Sequence, residues 1–344
     1  VTPERAREPA SRIAFVDYGK GFCIILVVMM HSVLGLEAAA GHEGWLHAVV
    51  AFARPFRIPS FFLIAGLFLS RSIDSDWRSY LDRKVLHFVY FYALWLTIQF
   101  AFKFPGMVHG QGIGAAGWTY LEAFVQPFGT LWFIYLLPIF FVVAKLTRPL
   151  PPLLVWLAGA ALEIAPVETG SVVIDEFAAR FVYFYSGYLF ARTVFAFSDE
   201  VTPRASLALA GILVWGLLNG FLVVRGWAEF PFVSLALGMA GSAALIAAAA
   251  LLAKRDLCPP VRWCGQNSLI IYLAFFLPMA VTREILVRSG LVADAGTMSL
   301  IVTIVAVVVP LAIERLVRNT RLRFLFERPE ALRLKPGMRL APQP

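Results

Sequence analysis

Long apolar runs separated by short polar and basic segments fill almost the whole of this chain. A helix crossing the ~30 Å hydrocarbon core of a bilayer needs about 20 mostly apolar residues, because each residue rises about 1.5 Å and no water is present to satisfy backbone groups. By that measure the pattern predicts ten helices, near Ile13–Leu36, Val49–Leu69, Val85–Phe102, Gly129–Leu146, Leu153–Pro166, Ile174–Phe197, Ala205–Val224, Pro231–Ala253, Leu269–Leu286 and Met298–Glu314. The fifth run is short for a full crossing. The longest connection, 103–128, has Pro and Gly near its start and an amphipathic stretch, Trp118–Val125, expected to form an interfacial or re-entrant helix. The predicted fold class is therefore all-α: a polytopic membrane bundle of about ten transmembrane helices over residues 1–316. A basic cytoplasmic tail follows at 317–344, where Pro329, Pro336 and Pro342 suit an extension lying on anionic lipid headgroups.

Charge between the runs orients the bundle. Basic residues accumulate on the cytoplasmic side of membrane proteins. With both termini inside, the cytoplasmic set is Arg5, Arg7, Arg12, Arg71, Arg78, Arg83, Lys84, Lys145, Arg148, Arg192, Arg204, Lys254, Arg255, Arg262 and the eight of the tail, whereas the opposite loops hold only Lys103, Arg225 and Arg288. A wrong helix count would scramble this bias.

Composition excludes a water-soluble domain: 60% of the 344 residues are hydrophobic and 15% charged, against about 25% charged in ordinary globular proteins. The net charge of +8 does not indicate nucleic acid, because the basic residues sit between hydrophobic runs rather than in one patch. Cys23, Cys258 and Cys264 form no CxxC pair and have no nearby His, so no metal site or disulfide framework is expected. The first run reads as a retained helix rather than a cleaved leader, being too long and lacking a small-residue cleavage site.

Ionisable groups inside a bilayer cost several kcal/mol each unless paired or hydrated, and so mark function by default. The first helix carries Asp17, Lys20 and His31. Lys20 and His31 are eleven residues apart, about 20° from full register and about 16 Å along the axis, so they share a face at opposite depths. Taken alone, Lys20 snorkelling to headgroups beside Asp17 and His31 bonding a neighbouring helix would account for them. Other charges shift the balance: Arg54, Arg57, Arg180 and Arg283 all fall in the outer half, where they need a wet cavity, anions, or partners such as Glu122, Glu176 and Glu284.

In order and spacing these features resemble the acyltransferase-3 family of membrane-bound acyltransferases over nearly the whole chain. Its members open with a basic residue, ten residues and a His, matched by Lys20 and His31 within DYGKGFCIILVVMMHS. A phenylalanine-rich stretch closing on a small residue and Gly follows at Ser60-Phe61-Phe62-Leu63-Ile64-Ala65-Gly66, then a basic cluster at Arg83, Lys84 and His87, the run Leu131-Trp132-Phe133, and GQNSLIIYL from Gly265 to Leu273. Three positions depart from the pattern: Lys20 and His87 stand where Arg is common, and Phe275 where many members have a second His.

The resemblance implies an enzyme that transfers an acyl group, most often acetyl, from cytoplasmic acyl-coenzyme A to a hydroxyl of an extracytoplasmic glycan or lipid-linked acceptor. The expected setting is the cell's inner membrane, with no permanently bound cofactor or metal. His31 then serves as the catalytic base, and Lys20, Arg83 and Lys84 hold donor phosphates. Arg54, Arg57, Arg180, Arg283 and Glu122 face the acceptor or the developing oxyanion, and Asp17, Ser60, Asn267 and Ser268 give structural support. The residues fit both direct transfer and a covalent acyl-imidazole. The competing class is a secondary exporter of an anionic solute that uses the Arg-lined cavity without covalent chemistry; the inverted repeats common in such proteins are not evident. A purely structural scaffold leaves Lys20 and His31 unexplained.

Overall fold

The structure is a computed structural model describing residues 13–127 and 129–334. Arg5, Arg7 and Arg12, and the end of the tail with Pro336 and Pro342, lie outside the described residues. Fifteen α-helices make an all-helical membrane bundle: α1 (Ala14–Ala40), α2 (Leu46–Gly66), α3 (Trp77–Leu81), α4 (His87–Gln111), α5 (Ile113–Glu122), α6 (Trp132–Leu146), α7 (Pro152–Ile164), α8 (Val172–Leu189), α9 (Ala191–Val201), α10 (Ala205–Val224), α11 (Val233–Arg255), α12 (Pro259–Gln266), α13 (Ser268–Ala274), α14 (Phe276–Ser289) and α15 (Ala295–Val317). A π-helical turn, Asp82–Leu86, joins α3 to α4 without interruption.

Among the described residues, six segments are long and apolar enough to cross a bilayer: α1, α2 with the turn after it, the α3–α4 run, α10, α11 and α15. The pair α13 and α14, bent by 53° at their junction, makes a seventh. The other apolar runs of the sequence are helical too, but α6 and α7 have 15 and 13 residues, and α8 carries Asp175, Glu176 and Arg180. At about 1.5 Å per residue, α6 and α7 each extend only about 20 Å. The predicted count of ten crossings is thus not reached by length and composition alone.

The shortness of α6 has a local cause. The chain between α5 and α6 leaves its helical path and runs into the bundle, where three tyrosines cap its carbonyls. Tyr92 donates to Ala123, Tyr135 to Phe124 at 3.0 Å, and Tyr272 to Thr130. Irregular backbone survives at membrane depth only where protein supplies its hydrogen bonds. The expected amphipathic helix of this connection is α5, and α4 runs nine residues past its predicted end, through Pro105, to Gln111.

At the centre lies α1, packed on α2, α11, α12 and α15. Two helix crossings are close enough to require glycine. A side chain on Gly265 would strike the Asp17 carbonyl of α1, and one on Gly66 would strike the Phe184 carbonyl of α8. Small residues at such contacts let backbones approach where no hydrophobic effect drives helices together.

Contacts between connections separate cleanly into two ends. At one, Lys145 donates to the carbonyls of Ile73 (2.6 Å) and Ser75 (2.7 Å), Arg148 pairs with Asp74, Tyr18 donates to Asp256 (3.2 Å) and Lys254 to the Thr202 carbonyl (3.1 Å). At the other, Gln126 donates to the Gly170 carbonyl (3.0 Å), Ser234 to Glu163 (2.6 Å), and Arg54 pairs with Glu229. The first end carries the connections predicted cytoplasmic by charge, and the second carries those predicted outside.

Candidate active site

Two cavities adjoin at the end predicted cytoplasmic by charge, of about 280 and 500 Å³, and Lys20, Phe68, Ser268 and Leu269 line both. Lys20 stands nearly two turns into α1. The uninterrupted π-helical turn brings Lys84 and His87 to the rim of the smaller cavity, where Lys84 also lies 4.7 Å from the centre of the Phe141 ring. Cations gathered on one mouth repel one another unless an anion sits between them, which suits a phosphate-bearing ligand. Asp17, Arg71, Gln266, Asn267 and Phe326 line the larger cavity. Asp17 accepts from Gln266 at 3.1 Å, and Asn267 donates to the Trp263 carbonyl at 2.9 Å, which ties α1 and α13 to α12.

Arg83 stands apart. Its side chain is exposed, donates to the Ser79 carbonyl at 3.2 Å and lines neither cavity. In its place the structure contributes Arg71, Gln266 and Phe326. Sequence patterning reads Arg71 only as a topology marker, and nothing local distinguishes Gln266 or Phe326 from any other loop residue.

The smaller cavity ends on aromatic rings. Phe61 stacks on Phe133 at 4.6 Å, Phe133 meets Tyr272 at 5.6 Å, and Tyr272 meets Phe275 at 6.3 Å. Beyond this layer lies His31, its ring centroid 5.5 Å from that of Phe275. Phe275 is the residue at the break between α13 and α14, so His31 faces a broken helix. The position where many members of the resembled family have a second His therefore lies directly against His31. No carboxylate among the described residues pairs with the His31 ring; the ion-paired histidine is His47, 2.8 Å from Glu37 in the outer loop.

Outward of His31 the arginines gather, unequally. Arg57 is buried, donates to the Val50 carbonyl at 2.8 Å and keeps its Nε without a protein partner. Arg283 donates to the carbonyl of Gly35, one turn beyond His31 on α1, at 3.3 Å. Arg180 pairs with Glu176 at 3.1 Å, one of the partners expected for these arginines. Arg54 itself turns to the surface and pairs with Glu229, a partner not anticipated from spacing; Glu284 pairs with Arg288 instead of a buried arginine. Glu122 is exposed in a separate outer cleft of about 550 Å³, shared with Glu176 and Trp132. Ser60 bonds Ser242 of α11 at 3.0 Å, a buried tie between helices. Among the described residues no cluster of His, Cys, Asp and Glu is placed to hold a metal ion.

The arrangement is a cationic, partly apolar cavity at the end predicted cytoplasmic by charge, an aromatic floor, one histidine beyond that floor, and guanidinium groups on the far side of it. Such a layout can hold a charged donor on one face and serve a polar acceptor on the other. The chain is similar to the inner membrane protein YcfT of Escherichia coli (strain K12), 27% identical over 222 residues that cover 58% of this chain and 62% of that protein. The chain thus spans about three-fifths of the length of the curated relative it matches. No solved structure matches it. A family model, described as an acyltransferase domain, matches residues 13–315, from the start of α1 almost to the end of α15, and on that match the chain belongs to the acyltransferase-3 family of multi-pass membrane proteins.

Proposed function

We propose that this protein transfers an acyl group, acetyl foremost, from cytoplasmic acyl-coenzyme A to a hydroxyl of an extracytoplasmic glycan or lipid-linked acceptor. It acts in the inner membrane, where its relative YcfT is named as residing. The observation that carries the reading is the position of His31 against the α13–α14 break, between the Lys20–Lys84 cavity and the Arg57–Arg283 pair. Lys20 and Lys84 hold the donor's phosphates, and its acyl arm passes the aromatic floor at Phe61, Phe133 and Tyr272. The acceptor oxygen bonds to the thioester carbonyl carbon as His31 takes its proton. Collapse of the tetrahedral adduct breaks the C–S bond, and the proton passes to the departing sulfur. Arg57 and Arg283 face the oxyanion that forms in between.

Ten crossings with both termini cytoplasmic belong to this reading. The segregated contacts of the two ends support them, since α6, α7 and α8 each join connections found at opposite ends. The decisive experiment supplies acetyl-coenzyme A labelled in the acetyl group to the cytoplasmic face of membrane vesicles carrying the full chain. Label should become covalently bound to material on the opposite face, and His31→Gln should abolish the transfer. Passage of an unmodified anion with no covalent labelling would instead establish an exporter.

A further inference from the structure

Past α15 the chain does not leave the bundle. It turns back under the cytoplasmic end through a short 3₁₀ turn, Arg321–Leu325, and lies against the third crossing. Tyr90 donates to the Phe324 carbonyl (2.8 Å) and Trp95 to the Leu325 carbonyl (2.9 Å), both from α4. Phe326 sits on the Trp95 ring at 5.5 Å and forms part of the wall of the larger Lys20 cavity. Arg328 is buried and grips the π-helical turn: Nη1 donates to the Asp82 carbonyl at 2.9 Å and Nη2 to the Asp82 carboxylate at 2.7 Å. That carboxylate also accepts from the Leu334 amide at 2.8 Å. The gripped turn is the one that carries Lys84, with His87 next in line.

We propose that residues 321–334 form a strap that completes the donor site. Phe326 closes one wall, and Arg328 is a positioning residue that acts through Asp82 to hold Lys84 and His87 at the cavity rim. The inference rests on the donor reading given above. π-helical turns are rare and recur at functional positions. Here a buried, charge-assisted pair fixes the turn from outside the helix, so the strap's grip is coupled to the geometry of the phosphate-binding lysine.

The test is equilibrium binding of radiolabelled acetyl-coenzyme A to the full chain in lipid nanodiscs, measured on the folded fraction alongside thermal stability. Phe326→Ala, which opens an apolar wall, and Arg328→Ala, which removes a hydrogen bond to a charged group, should each weaken binding by about tenfold or more. The charge swap Asp82→Arg with Arg328→Asp should recover most of the loss. Wild-type affinity in Phe326→Ala and in any folded Arg328→Ala, or failure of the swapped pair to recover the binding lost in Arg328→Ala, overturns the strap while leaving the donor site standing, provided Lys20→Ala still weakens binding. If the wild type fails to bind, or Lys20→Ala binds like it, the donor reading fails and the strap's role falls with it.

Discussion

His31 touches the Phe275 ring, and no carboxylate among the described residues pairs with it. Replacing it separates chemistry from packing. His31→Gln keeps hydrogen-bonding capacity but cannot cycle a proton near neutral pH. Acyl transfer by that variant should fall by about 10²–10⁴-fold with acetyl-coenzyme A affinity kept, the size of effect seen on losing a positioned acid or base. A wild-type rate in this variant would make His31 a packing residue. Lys20 answers to a different measurement: Lys20→Ala should weaken donor binding while the protein still inserts, whereas Lys20→Arg, which keeps the charge, should be partly tolerated. Unchanged donor affinity in the Ala variant would return Lys20 to the role of a headgroup anchor.

At the scale of elements, the family-like motifs have packing reasons that are independent of chemistry. The glycine closing the phenylalanine-rich stretch, Gly66, seats α2 on α8, and the glycine opening GQNSLIIYL, Gly265, seats α12 on α1 beside Asp17. Gly66→Ala should destabilise the bundle by about 1–3 kcal/mol, the usual cost of forcing a methyl group into a filled contact. A thermal midpoint in detergent unchanged from wild type would show that the crossing relaxes freely. Tyr272 makes a second case. Its ring belongs to the cavity floor and its hydroxyl caps the Thr130 carbonyl of the segment that enters the bundle. Tyr272→Phe keeps the ring and strands a buried carbonyl, a loss of about 1–3 kcal/mol. It should therefore lower the melting temperature and loosen residues 123–131 to hydrogen exchange; equal exchange in both proteins would place that carbonyl in contact with water.

For the whole molecule, sidedness is the testable property. A reporter active only outside the cytoplasm should work when inserted after Glu37, within Gly106–Gly117 or after Glu168, and should be silent after Ser75 or at the C-terminus. Basic residues and end-to-end contacts both call for that pattern. Outside activity at the C-terminus would mean that an odd number of helices crosses, with α6 and α7 the first to doubt because of their length.

Helix positions, the connections that share an end of the bundle and the placing of Lys20 and His31 on one helix were legible in the sequence. Each depends on a quantity local to the chain: the length of an apolar run, the charge of a short loop, or the 3.6-residue period of one helix. Tertiary packing decided the rest. Lys84 lines the cavity beside Lys20 while its neighbour Arg83 turns away, because successive residues of a helix point about 100° apart, and the basic cluster alone does not say which of the two faces the cavity. Phe275 meets His31 because a helix that reads as one continuous run breaks beside it. Arg328 spends its charge on Asp82, 246 positions away, and not on lipid headgroups, since a buried partner with aligned acceptors outweighs a hydrated surface contact. Such pairings join residues from opposite ends of the chain, and only the packed bundle brings them together.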